Sequence, residues 1–598
     1  MRILLLWRSS RGAGEDLDPE RVARKLQQIF APLFSTAPKS TIRQTPAMTM
    51  VFLQLPVRGW KPPFFEEDEQ TWALAIDYPI DARTVLAANG ISVGNGSTLP
   101  VLCRNLQGNP TQLLREMAPP FSVVWSSKQT GETFVQNDGL GSSQLLEYKG
   151  DKLWVLTNKI FALKALGVPL ELEAEQWAIK STLDWFPLNL TGYKRIHYLK
   201  PATQIHLDSH GMSRMAHDVL SEWVNPGELS QAECAELARS SLLKQIKAAM
   251  PLWENPTATL TGGWDTRAVV SVLRALGVEF SARVKGRPPH YDVVIASYLA
   301  KIAGFELRVS ESVALPPAAV DDCRRSIKLA LLWQAGFMMN RQHKEFRADG
   351  GLPEGHVKIM GQHGEIGRGT YARRIRAVEL KEEQYEEHLV SYWMKNKMPT
   401  FTRNTHHDRI REIIREAYRE ADRYGLTGLR RLVFFSLHEA HRRWASAKLS
   451  LLPGLNFAPF LNPDYIRASF GYQGQGKQTN PFHRHIIATH GPDWAGIPYT
   501  KDPGMPGLLE RIMGPPKEPA EETPPPLSWR QSTGTSHYDH MLYWKGVGAP
   551  IIREALDEGG FWTEVFDPEL AEQQWQASPD ILAVLHLLPL MIQSQSPF

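Results

Sequence analysis

Thr257-Ala-Thr-Leu-Thr-Gly-Gly-Trp-Asp-Thr266 opens the stretch that decides the fold. Thr257 to Leu260 is a short β-prone run, and two glycines break it. Val269, Val272, Leu273 and Leu276 then recur at i, i+3, i+4 and i+7, one face of a helix. Gly277 stops that helix. Val278 to Val284 reads as a second strand. Ile295, Leu299 and Ile302 mark a second amphipathic helix closed by Gly304, and Phe305 to Val309 is a third strand. The order β-α-β-α-β predicts a parallel, doubly wound α/β sheet.

Such sheets bind ligands at the carboxyl ends of their strands. The loop from Thr261 to Thr266, entered from Leu260, sits at such an end and opens a helix. Gly262 and Gly263 let the backbone approach an anion closely, and the helix start presents unpaired N–H groups and a positive dipole. Thr261 and Thr266 add hydroxyl donors. Asp265 suits Mg²⁺, which takes oxygen ligands. A Gly-Gly pair after a strand also occurs in turns without function. The hydroxyl–Gly–Gly–x–Asp–hydroxyl order inside a complete βαβ unit favours phosphate.

The remaining chain sets bounds on this reading. At ~150 residues per domain, 598 residues make several domains. Hydrophobic residues are 42% and charged residues 22%, which fits soluble globular protein and excludes disordered chains, collagens and coiled-coil rods. Lys plus Arg is 67 against 64 for Asp plus Glu. The net charge of +3 gives no global field for nucleic acid or anionic membrane, so neither is expected as a partner. Cys103, Cys234 and Cys323 are too few and too scattered for a disulfide framework or zinc site, and they suit a reducing cytoplasm. The apolar opening, Met1 to Trp7, is too short for a signal sequence. Asp580 to Ile592 carries His586 and Pro589 and falls short of the ~20 apolar residues of a membrane helix, so a buried terminal helix is expected.

Two joints stand out. At Asn225-Pro226-Gly227 a strand-rich half gives way to a helix-rich one, which divides the chain into domains 1–225 and 226–598. Ser230-Gln-Ala-Glu233 directly after it reads as a capping box. Residues 514–526 hold six prolines and read as a surface excursion. In the first half, Phe121 to Trp125 and Glu132 to Val135 predict a hairpin, and Lys152 to Leu156 another strand. In the second half, His407 to Tyr424 and Leu429 to Leu449 have helical patterns.

Several motifs are decoys. Gly471 to Lys477 has Walker A spacing, but Gln478 replaces the metal-binding hydroxyl, and no clear strand leads into it. His438-Glu-Ala-His441 has the wrong spacing for a zinc helix. Arg403 to Arg423 mixes charges of both signs, as a solvated amphipathic helix does. Most of the 18 tryptophans belong to the core, although some near the cleft would suit a peptide or other large substrate.

Leu260-Thr-Gly-Gly-Trp-Asp-Thr-Arg267 resembles the pyrophosphate loop of the asparagine synthetase family, usually Ser-Gly-Gly-x-Asp-Ser. Arg287-Pro-Pro-His-Tyr-Asp292 resembles the segment that supplies a second acid near the nucleotide. Gly361-Gln-His-Gly-Glu365, with Gly367-Arg-Gly-Thr-Tyr371, is similar to the family's Gly- and acid-rich loop. Arg442 to Ser446 and Leu455 to Asp464 look like the segment ending in Pro-Phe-Leu-Asp. Asn137-Asp-Gly-Leu-Gly141 through Tyr148 is similar to the Arg-Asp-x-Leu-Gly turn of the glutaminase-like domain. The matches run in family order over roughly residues 120–500.

The resemblance implies an N-terminal glutaminase-like (Ntn-type) β-sandwich flanked by helices. It implies a C-terminal α/β ATP-pyrophosphatase domain of the adenine nucleotide α-hydrolase type. It implies a ligase that uses ATP and Mg²⁺ to adenylate a carboxylate, after which an amine attacks and AMP leaves. Leu260, Thr261, Gly262, Gly263, Asp265, Thr266, Asp292 and Gly361 would hold ATP or pyrophosphate, with Asp265 and Glu365 as metal ligands. Glu365 and a late lysine would be catalytic, the lysine stabilising the adenylate or oxyanion. Lys501 is the first candidate and Lys477 the second.

Three departures narrow the function. Arg2 stands where glutamine-dependent members carry their nucleophilic cysteine, so no glutaminase activity is expected. Gln362 replaces a frequent Glu and cannot act as a base. Thr at 261 and 266 retains the hydroxyl. Members without the cysteine include β-lactam synthetases and lasso peptide macrolactam cyclases, whose substrates carry their own amine. The expectation is such a lactam or amide synthetase, a lasso cyclase foremost, acting on a peptide or small molecule, with a protease or leader-binding protein as partner. Asparagine synthesis from ammonia or glutamine and a catalytically inactive scaffold are the alternatives.

Overall fold

The structure, a computed structural model, describes residues 1–9, 17–94, 97–286, 291–310, 320–337, 355–452, 454–472, 475–497, 499 and 549–577. It is a mixed α/β protein with two antiparallel sheets and one parallel sheet.

Among the described residues, β1 (Arg2–Ser9), β2 (Lys39–Gln44), β3 (Thr49–Gln54), β4 (Phe65–Glu67), β5 (Thr71–Asp77) and β6 (Ser122–Ser127) come first. β7 (Thr133–Asn137), β8 (Leu146–Lys149), β9 (Leu153–Thr157), β10 (Ile196–Tyr198), β11 (Thr203–Leu207) and β12 (Met212–Ala216) follow. They form two six-stranded sheets, in the orders β10–β8–β9–β1–β3–β2 and β12–β11–β7–β6–β5–β4. The expected hairpin is the antiparallel pair β6–β7.

The apolar opening of the chain is explained by β1. Successive strand residues point to opposite faces. Leu4 and Leu6 enter the sandwich interior with Leu74, Val124 and Ile205. Ile3, Leu5 and Trp7 enter a second core beyond the sheet. Val22, Leu26 and Phe30 of the Pro19–Phe30 helix cover that face, together with Trp333, Ile413 and Tyr418 from the second half. The second core continues through the ring pairs Phe186–Phe337 and Trp185–Trp393, at 5.4 and 5.3 Å. β1 is thus buried on both sides and reads as a continuous apolar run. Each fully buried Leu contributes roughly 1.5–3 kcal/mol.

The helix-rich half carries β13 (Thr257–Thr259), β14 (Ser281–Lys285), β15 (Leu307–Ser310), β16 (Val357–Ile359) and β17 (Leu455–Phe457). All pairs are parallel, in the order β15–β14–β13–β16–β17. The chain moves outward from β13 to β15, then returns to the other side of β13. The strand order therefore reverses between β13 and β16, the switch point where open α/β sheets bind ligands.

The helices Trp264–Ala275 and Tyr291–Ala303 match the expectation, and the turn after each places Gly277 and Gly304 at φ +63° and +70°. The Ser230–Glu233 capping box is present. β14 and β15 begin later than predicted, at Ser281 and Leu307. Phe280 and Phe305 pack edge-on at 5.5 Å, so their apolar character serves core packing. His407–Arg419 is α-helical and Glu420–Tyr424 tightens to 3-10. The region from Leu429 onward is not one α-helix. Leu429–Phe435 passes into a π-helical segment, Ser436–Ala445, before Ser446–Leu451 returns to α. Its i→i+5 ladder closes with the Ser446 N–H donating to His441 O. Residues 514–526 and 580–592 lie outside the described residues. Among the described residues no helix is long and apolar enough to cross a membrane.

Candidate functional site

The loops leaving β13 and β16 meet at the switch point. Leu260 prolongs β13 by donating its N–H to Arg283 O at 2.9 Å. The next residues bond among themselves. The Thr261 N–H donates to Thr266 Oγ1 at 3.1 Å, the two threonine hydroxyls lie 2.9 Å apart, and the Gly263 N–H donates to Thr261 Oγ1 at 3.1 Å. Asp292 Oδ1 accepts the Gly262 N–H at 3.0 Å. Asp292 therefore stands against the glycine loop.

Gly361 and Gly364 bring the second loop onto the first. A Cβ on Gly361 would lie 2.6 Å from Thr266 N and 2.8 Å from the Asp265 carbonyl carbon. A Cβ on Gly364 would lie on Asp265 Oδ1 and 2.9 Å from His483 Nε2. Only glycine permits this approach. Between them, His363 holds φ +72°, a left-handed conformation rare outside glycine and found at functional sites.

Asp265 is held by Arg368 and faced by His483. Arg368 donates to Oδ2 at 2.5 Å, and His483 Nε2 stands 2.7 Å from Oδ1. Arg368 also lies 3.5 Å from Glu365 Oε1. Burial pushes the Asp265 pKa up, but Arg368 and then His483 outweigh it, so the carboxyl sits below its ordinary range. Glu365 goes the other way, raised by desolvation and then by Asp265, although its side chain remains 44% exposed. His363 Nδ1 and His441 Nδ1 lie 3.2 Å apart, so one donates to the other in a neutral pair.

The arrangement does not fit a Mg²⁺ ion on Asp265 and Glu365. Arg368 holds Oδ2 at 2.5 Å, and His483 and the Gly364 backbone crowd Oδ1. Mg²⁺ needs an octahedron of oxygens at ~2.0–2.1 Å and keeps several waters. Among the described residues no group of three or more His, Cys, Asp or Glu is placed to hold a metal.

The candidate lysines separate. Lys501 lies outside the described residues. Arg267, wholly buried, donates to Ile497 O at 2.7 Å and lies 3.8 Å from the Tyr499 ring, which ties the glycine loop to the segment before it. Lys477 is buried in a 3-10 turn with its ammonium donating to Ser469 O, and burial lowers its pKa to about 7. That geometry makes it a structural lysine and gives no P-loop. His438 and His441 form no metal pair, since His438 Nε2 faces Arg442 at 3.0 Å. The Arg-rich helix is a web of surface ion pairs, such as Arg409–Glu416 and Arg419–Glu386. Arg2 points its guanidinium at the Ile76 carbonyl and lies 3.7 Å from Asp77.

Arg368 and His363 lie inside the Gly361–Tyr371 motif without an expected role, His441 stands in the rejected zinc spacing, and His483 carries no sequence signal. Arg368 sits 103 residues from Asp265, and no periodicity links them.

The three histidines predict a pH response. Burial lowers all three, His441 to about 3 with Arg368 adding to it, while Asp265 partly opposes the shift at His483. A free imidazole binds its proton near ~6.5. Below that pH the unfolded chain takes up protons that the folded chain refuses, so stability falls as pH falls. His441 alone costs about 2 kcal/mol at pH 5. The urea midpoint is expected to drop between pH 7 and pH 5, and an unchanged midpoint would contradict the assignment.

No family model matches the chain, and no curated protein sequence does. Among solved structures, it is similar to one titled as the allosteric regulatory enzyme of purine biosynthesis, at 11% identity and TM-score 0.24, covering 60% of this chain and 80% of that one. It is also similar to glutamine phosphoribosylpyrophosphate amidotransferase from B. subtilis, complexed with ADP and GMP. That likeness has 10% identity and TM-score 0.23, and covers 60% of this chain and 81% of that one. At these values neither likeness bears on the assignment of function.

Proposed function

We propose that the chain is an ATP-dependent amide-forming ligase whose nucleotide phosphates sit between the β13 and β16 loops. One observation carries this reading: two glycine-bearing loops interlock at the switch point of a parallel sheet, around an acid at a helix start. Gly262 and Gly263 would receive the phosphates once Asp292 gives way, with Thr261 and Thr266 donating hydroxyls. A substrate carboxylate attacks the α-phosphorus, and pyrophosphate leaves from the glycine loop. The substrate amine then attacks the acyl-adenylate, and AMP departs. Glu365 is the proposed base for the proton of that amine, a role that its partial exposure and raised pKa support. Lys501 is the proposed oxyanion partner. Mg²⁺ is proposed only as the ion that ATP carries on its own phosphates.

Within this class the proposed substrate is a peptide with its own amine, closed to a macrolactam as in lasso peptide biosynthesis. A protease or leader-binding protein is the partner such a substrate implies. Asparagine synthesis from ammonia is the small-molecule alternative.

A second reading, an inactive scaffold, is favoured by the glycine loop's own bonding, because Asp292 and Thr261 already occupy the Gly262 and Gly263 N–H groups. Product analysis separates the readings. Incubation with Mg-ATP and either aspartate plus ammonia or candidate precursor peptides should yield AMP and pyrophosphate with one of them. Asp265→Ala should cut AMP formation at least tenfold, the loss that about 1.4 kcal/mol brings. Equal turnover by the variant sinks the ligase reading, and bound ATP that is never cleaved supports the scaffold.

A further inference from the structure

A second site lies away from the phosphate loops, where the sandwich meets the helix-rich half. There a cavity of about 20 Å³ is lined by Arg2, Asp77, Gln144 and Lys159 from the sandwich and by Trp333 and Ser450 from across the interface. A single water needs roughly 10–15 Å³ measured this way, so the space admits a monatomic guest and little more.

Its lining is polar and incompletely bonded. Arg2 Nη1, Gln144 Oε1 and Ser450 Oγ are buried without a hydrogen-bond partner. Gln144 is 3% exposed and Lys159 is 4%. Native proteins leave few buried polar atoms unsatisfied, and three around one small cavity indicate a missing guest.

The charges specify that guest. Arg2 and Lys159 bring two cations, and Asp77 brings one carboxylate, 3.7 Å from Arg2 and already accepting from Ser143 Oγ at 2.7 Å. Lys159 finds only the Trp333 carbonyl at 3.3 Å and the Trp333 ring at 3.2 Å. The Met1 amino group, lowered to about 4 by burial and then by Arg2 and Lys159, adds no charge at neutral pH. With Lys159 protonated the cavity holds one positive charge in excess, and buried charge is paired or neutralised.

We propose that this cavity binds a small monovalent inorganic anion of chloride size, held between the Arg2 guanidinium, the Lys159 ammonium and the Ser450 hydroxyl. The Gln144 amide N–H stays on Ser142 O at 2.8 Å and is not among the anion's donors. The anion would bridge the two halves of the chain, because Ser450 and Trp333 belong to the second. Without it, burial drives Lys159 toward its neutral form.

Unfolding of the full chain at fixed ionic strength, with sodium chloride replaced stepwise by sodium gluconate, tests the site. Each tenfold rise in chloride above its dissociation constant should raise the folding constant tenfold. Lys159→Met should remove that dependence. Crystals grown in sodium bromide should show one anomalous peak between Arg2 and Lys159, a readout that survives if the variant fails to fold. Equal stability in chloride and gluconate, a chloride dependence that persists in Lys159→Met, or water alone in the cavity overturns the proposal.

Discussion

Gly361→Ala should abolish phosphate binding while leaving the parallel sheet intact. The new methyl would meet Thr266 N at 2.6 Å and the Asp265 carbonyl carbon and Cβ at 2.8 and 2.9 Å. Two of these atoms are backbone and none is the far end of a flexible side chain, so no rotamer relieves the contact. One loop must withdraw. Overpacking of this kind costs about 1–3 kcal/mol. Here the displaced element is the N–H array that would grip the ligand, so the cost falls on binding. Calorimetric titration with pyrophosphate or ATP should show at least a tenfold loss of affinity, with circular dichroism unchanged. Gly364→Ala should cost less, because its methyl would meet Asp265 Oδ1 and Cγ, the end of a side chain that can shift. Binding at full strength in both variants would mean that phosphates sit elsewhere.

Glu439→Ala should be among the most destabilising single changes in the chain. Glu439 is wholly buried in the π-helical segment. It reaches into the first half, accepting from the Leu188 N–H at 3.1 Å and the Trp185 indole at 3.3 Å. Arg442 and Arg443, also buried, follow on the same segment and grip Asn189 Oδ1 at 2.6 and 2.9 Å. Burial depresses both guanidinium pKa values, and Glu439 is among the groups that oppose this. Removing the acid leaves the buried Leu188 N–H and Trp185 indole without their acceptor, at about 1–3 kcal/mol for each unsatisfied group, and takes away a charge that supports both arginines. Glu439→Gln retains acceptor oxygen and should lose less. Denaturant midpoints measure both. An alanine variant as stable as the parent would show that the arginines are neutralised by other means.

The sheet and the glycine loop were legible because they rest on local signals. Period-3.6 apolar positions, Gly277, Gly304 and the Ser230–Glu233 box each act within a few residues. The partners of Asp265 were not, since Arg368 and His483 arrive from distant segments with ordinary local patterns. The π segment was hidden for a related reason. His438, Glu439, Arg442 and Arg443 look like a wet helix face in sequence, yet all four are buried against the first half. A run of charges announces solvent only when no partner surface carries matching acceptors. Asn189 Oδ1 and Leu188 O are such acceptors here.

The second core has a consequence for the order in which the chain is made. The Pro19–Phe30 helix covers β1 from within the first half, but Phe186 and Tyr193 share this core with Phe337, Ile413 and Tyr418, which are made later. Tyr418 follows Tyr193 by 225 residues. At ~5–20 residues per second, ribosomal synthesis takes roughly 10–45 s to cross that gap. Through that interval Phe186 and Tyr193 lack part of their apolar cover, the kind of surface that chaperones grip.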